Sequence, residues 1–223
     1  MNDIDCSDSI NWDSGLGFAP LGILTGSLDG QGHTISDLFI NRSAGWIGLF
    51  SYTDLGGNIS NLKLTNVDIT GTNEVGALVG EANDGIITNV SVTGIVRGND
   101  YVGGLFGGLY GQAHSCSFAG TVIGTDFVGG LAPDMGGNII PNIVVDCYST
   151  GSVTGNSVVG GLIGSSSGSI NNSYSSSVVT GVTGVGGLTG SGSAENSYWD
   201  TETSGQPTSG GGTGKTTAQM KTL

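Results

Sequence analysis

Basic side chains are nearly missing from this chain. Of 223 residues only 5 are Lys or Arg, against 18 Asp or Glu, so the formal net charge is −13 at neutral pH. A surface of that sign repels phosphate backbones and anionic lipid, which argues against nucleic-acid partners and against membrane association. Long apolar runs are missing too: no stretch of about 18 apolar residues could span a bilayer, and no basic-then-apolar leader opens the chain. The chain is therefore expected to be soluble. Its acidic opening, with Asp3, Asp5, Asp8 and Asp13, reads as a segment taken from a longer protein. The three cysteines, Cys6, Cys116 and Cys147, lack C-x-x-C spacing, so a zinc site is not indicated.

Glycine is what the chain has in excess. The 44 glycines sit beside only 4 prolines and 10% charged residues, yet the hydrophobic fraction is 36% and the mean hydropathy is +0.12, too apolar for disorder. Composition rich in Gly, Ser, Thr, Asn and Val favours β-structure with many tight turns.

The apolar residues recur in phrases. "WIGLFS" at Trp46 returns as "VGALVG" at Val75, "VGGLFG" at Val102, "VGGLAP" at Val128, "VGGLIG" at Val159 and "VGGLTG" at Val185, at separations of 29, 27, 26, 31 and 26 residues. The long interval takes up "DMGGNIIPN", read as a loop insertion. A second phrase aligns Asn61, Asn89, Ser115, Asp146, Asn172 and Asn196 in one column, and a third ends in a recurring glycine, as in "GSVTG". Such segments are too short for helices and suit half-buried strands. About three short strands per period predict an all-β parallel β-helix, or β-solenoid, with right-handed coiling expected. At about 4.8 Å per coil, six coils and the N-terminal part make a rod of roughly 40 Å. Residues 1–45 read as entry coils, 46–200 as solenoid repeats and 201–223 as a Gly/Thr-rich closing segment.

In a solenoid an alignment column becomes a ladder. Leu49, Leu78, Leu105, Leu131, Leu162 and Leu188 are expected to stack as the core, and the Asn column to satisfy backbone groups at a corner. The paired glycines allow positive φ or close backbone approach. Cys116 and Cys147 share a column, either bridged or as two buried thiols, with Cys6 left over. The column Lys63, Ser91, Ser117, Tyr148, Tyr174, Tyr198 is expected to face outward, giving a tyrosine stripe at Tyr148, Tyr174 and Tyr198 that either stacks on sugar rings or packs on itself. That leaves Ser149 and Ser175 facing the interior.

These phrases, "VGGLIGSSSGSINNSYSSSVVTG" above all, resemble the GLUG-motif repeats of bacterial and archaeal secreted surface proteins, including filamentous-haemagglutinin-like adhesins and some surface-anchored peptidases. "GFAPLGILTGSLDGQGHTISDLFINRSAGWIGLFSYTDLGGNISNLKL" is similar to the segment preceding such repeats, and "NSYWDTETSGQPTSGGGTGKTTAQMK" to the one that closes them. The resemblance implies a non-catalytic module, a stalk or adhesin at the cell surface or outside the cell, beside other domains of a longer chain and meeting glycan or protein ligands. It supplies no catalytic residues and no cofactor.

Other readings compete with that one. Parallel β-helices commonly host polysaccharide lyases and hydrolases, and His33 beside Asp29 is a conceivable acid–base pair, though "LDGQGH" reads better as a turn. Asp3, Asp5 and Asp8 resemble calcium-ligand spacing but lack the rest of an EF-hand loop. The column Thr65, Thr93, Ala119, Thr150, Ser176, Asp200 is too broken to match ice. "GGGTGKTT" at 210–217 imitates a phosphate-binding loop, but the first required glycine is Ser209 and no α/β context surrounds it. It reads as a flexible exit from the last coil.

Overall fold

The structure, a computed structural model, describes residues 2–136 and 141–222. The chain winds into a parallel β-solenoid of about seven turns. Every strand-to-strand ladder is parallel and joins equivalent residues of successive coils: Ser117 lies between Ser91 and Tyr148, and Tyr174 between Tyr148 and Tyr198. Most strands form one continuous surface. The V-G-G phrases add a further short strand per coil, Asp100–Gly103, Asp126–Gly129, Ser157–Gly160 and Thr183–Gly186, stacked as a separate four-stranded sheet.

The early coils are drawn from long bent strands, Asn58–Thr70 and Val79–Arg97. They turn at left-handed residues, Asn61, Asn66, Asp84 and Asn89, all with φ between 50° and 55°, and the pairing shifts register around Asn66 and Asp84. Asn and Asp tolerate that conformation better than other L-residues. The whole predicted Asn column adopts it, with φ of 51°, 55°, 52°, 54°, 48° and 45° from Asn61 to Asn196.

The leucine ladder from Leu49 to Leu188 is fully interior, each side chain at most 4% exposed. Complete burial of one such side chain is worth about 1.5–3 kcal/mol. The paired glycines act through close approach, since neither has positive φ in any V-G-G copy. A Cβ on Gly160 would collide with the carbonyl of Ile163, and one on Gly104 or Gly187 would collide with the rings of Phe118 and Trp199. The second glycine is thus the space that lets a large ring cross the narrow interior. Among the described residues no helix is long and apolar enough to cross a membrane.

Both ends carry extra structure. At the N-terminal end Ile4–Asp5 pairs with Thr34–Ser36, and a 3-10 turn at Ser7–Asn11 packs beside Phe39–Asn41. At the other end the Gly/Thr-rich segment is ordered, which corrects the expectation of a flexible exit. Thr213–Lys215 pairs with Tyr198–Asp200 as one more rung, and helices Thr201–Ser204 and Thr217–Met220 close the coil. The amides of Gly210 and Thr213 donate to the carbonyls of Thr189 and Ser197. The phosphate-loop look-alike therefore uses its backbone in the sheet. The insertion read in "DMGGNIIPN" falls in part on 137–140, outside the described residues.

Candidate functional site

The column expected to face outward does so at Lys63, Tyr148 and Tyr174, whereas Ser91 and Tyr198 are half-buried and Ser117 is buried. Tyr148 and Tyr174 are each 37% exposed, their rings parallel to within 3° with centroids 5.0 Å apart. This geometry decides what the stripe offers: each ring covers one face of the other, so a sugar has no continuous aromatic floor to lie on. Tyr198 follows in register but carries the Lys215 ammonium 5.5 Å from its ring centroid. Between Tyr174 and the closing segment lies a cleft of about 720 Å³, lined by Thr150, Asn172, Tyr174, Asn196, Tyr198 and Met220 among others. Burial, and then the neighbouring Tyr148, push the Tyr174 hydroxyl above its ordinary value, so it stays a neutral donor and acceptor.

The cleft's far wall hangs on Asp200. This buried carboxylate accepts from the backbone N–H of Glu202 (3.0 Å) and Thr203 (3.1 Å) and from the hydroxyls of Thr203 and Thr217 (both 2.8 Å). Burial raises its pKa, but those donors outweigh it and hold the carboxyl below the usual range. Asp200 is consequently a clamp between two short helices, with no oxygen left over for proton transfer.

The other sequence candidates are structural. His33 Nδ1 meets Asp3 Oδ1 at 3.1 Å, while Asp29 accepts from the Gln31 amide and the Asn61 side chain. The suggested His33–Asp29 acid–base pair does not exist. Asp3 and Asp5 are likewise engaged, accepting from the backbone N–H of Thr34 and Ser7. No three metal-ligating side chains converge among the described residues, so Asp3, Asp5 and Asp8 make no cation cage. Cys116 and Cys147 are free, buried thiols rather than a bridge, and Cys6 is a third. The Cys116 amide donates to Cys147 Sγ at 3.3 Å, the Cys147 amide to Ser173 Oγ and the Ser173 amide to Ser197 Oγ, both at 3.1 Å. Hydrogen bonding to Cys116, together with burial, pushes the Cys147 thiol up.

A second exposed feature was not foreseen. The structure pairs Ile47, not Trp46, with Val75, which shifts the first copy of the phrase by one residue. The residues just before the V-G phrases and their Ile47 counterpart, Trp46, Glu74, Tyr101, Phe127 and Val158, all have φ between 53° and 57°. They form a column of left-handed corners that project bulky side chains from one edge. Tyr101 and Phe127 stack with centroids 4.8 Å apart, and the Trp46 indole donates to Glu81 Oε2 at 3.0 Å. Glu81, Gly108 and Asp134 are neighbours in the adjacent column, and the ring of Tyr110 lies over bare Gly108. Burial, then Glu81, raises the pKa of Glu74; burial raises that of Asp134; and burial followed by Asp134 pushes Tyr110 up to about 12.

Known proteins match this chain in parts. Residues 18–94 match the family model of the M26 IgA1-specific metallo-endopeptidase N-terminal region. The match covers the entry coil and the first two full coils. Halomucin of Haloquadratum walsbyi is 49% identical over 89 residues, 40% of this chain and 1% of that protein. A "Putative Gly-rich membrane protein" of Evansella cellulosilytica is 39% identical over 100 residues, 41% of this chain and 11% of that protein. The chain thus spans a small fraction of these relatives. A crystal structure described as "a putative immunoglobulin A1 protease" from Bacteroides ovatus superposes with a TM-score of 0.68 at 21% identity, over 98% of this chain and 77% of that one. This likeness establishes the shared solenoid fold.

Proposed function

We propose that this chain is a non-catalytic extracellular or cell-surface module of the GLUG-repeat type, a rigid acidic solenoid that presents a ligand cleft to glycan. The observation that carries the reading is the cleft between Tyr174, Tyr198 and the closing helix at Thr217–Met220. It is concave, has aromatic walls, and is bordered by the Asn172 and Asn196 side chains that a saccharide's hydroxyls could meet, a combination typical of small-ligand sites. Its buried carboxylate is fully engaged in holding the wall, which speaks against acid–base chemistry there. Surface location is supported by the partial matches to Halomucin and to a Gly-rich membrane protein, and by the match to the N-terminal region of an endopeptidase family.

A glycan array probed with the labelled chain tests this reading. Binding to a defined group of saccharides, lost in Tyr174→Ala, is expected. A blank array would reduce the module to a spacer, and release of reducing ends or unsaturated products from any arrayed polysaccharide would move it to the polysaccharide lyases or hydrolases.

A further inference from the structure

The left-handed corner column combines two features that rarely lie together on a surface without a partner. Trp46, Glu74, Tyr101 and Phe127 succeed one another along one edge, stepping a strand spacing at a time. Trp46 is 52% exposed, and Tyr101, Phe127 and Tyr110 are half-buried. Around these rings stand half-buried carboxylates: Glu81 at the indole edge of Trp46, Glu74 between Trp46 and Tyr101 in the column, Asp134 two rungs from Glu81 across Gly108, and Asp100 next to Tyr101.

None of the five bases neutralises them. Arg42 is paired with Asp13 and Arg97 with Asp68, Lys215 lies over Tyr198, Lys221 borders the tyrosine cleft, and Lys63 sits in the outward column beside Thr34 and Ser91. Partly desolvated like charges without counter-charge favour a cation, and ring faces favour one that is large and weakly hydrated. A metal ion fits less well, since no three ligands converge on one point among the described residues.

We propose that this corner binds organic ammonium groups, with the rings of Trp46, Tyr101 and Tyr110 in cation–π contact and Glu74, Glu81 and Asp134 supplying the opposite charge. The site is separate from the tyrosine cleft and does not depend on how that cleft is used. Two sources present this chemistry: a quaternary alkylammonium headgroup, and the free amine of an aminated sugar.

The test follows the three indole N–H resonances of the ¹⁵N-labelled full chain, with Trp46→Phe assigning the Trp46 signal. Choline chloride, glucosamine hydrochloride and N-acetylglucosamine are titrated in parallel at constant ionic strength. The Trp46 signal is expected to shift saturably with one or both cations and not with the neutral acetylated sugar, while Trp12 and Trp199 stay in place and report an intact fold. Glu74→Gln combined with Glu81→Gln should weaken the response at least tenfold. Response to choline alone assigns an alkylammonium headgroup, and response to glucosamine alone an aminated sugar. An equal shift with N-acetylglucosamine, an undiminished response in the double variant, or no saturable shift with either cation would overturn the proposal.

Discussion

The coils from 58 to 123 and the coils from 148 to 180 share a backbone path but not an interior. In the first group the column facing the second V-G-G glycine holds Leu64, Val92 and Phe118; in the second it holds Ser149 and Ser175, buried just as completely. The corner column changes with it, from Leu62 and Val90 through Cys116 and Cys147 to Ser173 and Ser197. Early coils are held by apolar burial and by the amide ladder Asp29–Asn61–Asn89. Late coils replace this with hydroxyls that donate to their own coil and accept from the coil before: Ser173 Oγ donates to Asn171 O and accepts from Cys147 N–H. A hydrogen bond adds about 1 kcal/mol net, less than a buried large side chain contributes. The late coils therefore lean on their cap, where Trp199 fills the same column and its indole donates to Gln206 O.

The largest effect expected from breaking this contrast is at the rings. Phe118→Ala should destabilise by about 3–5 kcal/mol, the usual result of emptying a core aromatic site, and Trp199→Ala by a similar amount, with the loss confined to the late coils. Denaturant unfolding measures the first; the second should appear as faster amide exchange across 174–215 while 59–96 stays protected. Ser149→Ala removes two hydrogen bonds, one from its hydroxyl to Gly161 O and one that it accepts from the Ser177 hydroxyl, and should cost about 2 kcal/mol. If Ser149→Ala matched Phe118→Ala, the two interiors would not differ as described.

Acidification should give the smallest effect, and it should act on the two regions in opposite directions. Asp200 has a folded pKa below 3.8, so its contribution is present above that value and is lost as pH falls through the lowered one. Glu74 has a folded pKa above 4.5, so its ionised form opposes folding, and that opposition disappears as pH falls through the raised value. Exchange measured between pH 5 and 3 should therefore show the cap loosening while the corner around Glu74 does not.

Much of this was readable in the residues. The leucine ladder, the placing of the Asn column at corners and the outward Tyr148 and Tyr174 follow from column position alone, because a parallel solenoid turns sequence period into stacking. The Asn side chains, expected to bond the backbone, instead bond a side chain of the coil before, Asn61 to Asp29 and Asn89 to Asn61. The corner before each V-G-G phrase was not readable: Tyr101, Phe127 and Val158 are residue types that avoid positive φ, and only coil geometry imposes it. The closing segment was misjudged because its glycines signal flexibility locally, whereas here they allow the last rung to lie close against Ser191, Ser193 and Trp199. The stripe's exposure could be inferred, but the mutual covering of Tyr148 and Tyr174 depends on ring orientation, which the column does not encode.

The central claim is that the tyrosine cleft at the capped end is the ligand site. Calorimetric titration of an array-selected saccharide into the wild-type chain and into Tyr174→Ala tests it most directly. The account predicts at least a tenfold loss of affinity, about 1.4 kcal/mol, in a variant whose indole spectrum is unchanged. Equal affinity in the two proteins would contradict it.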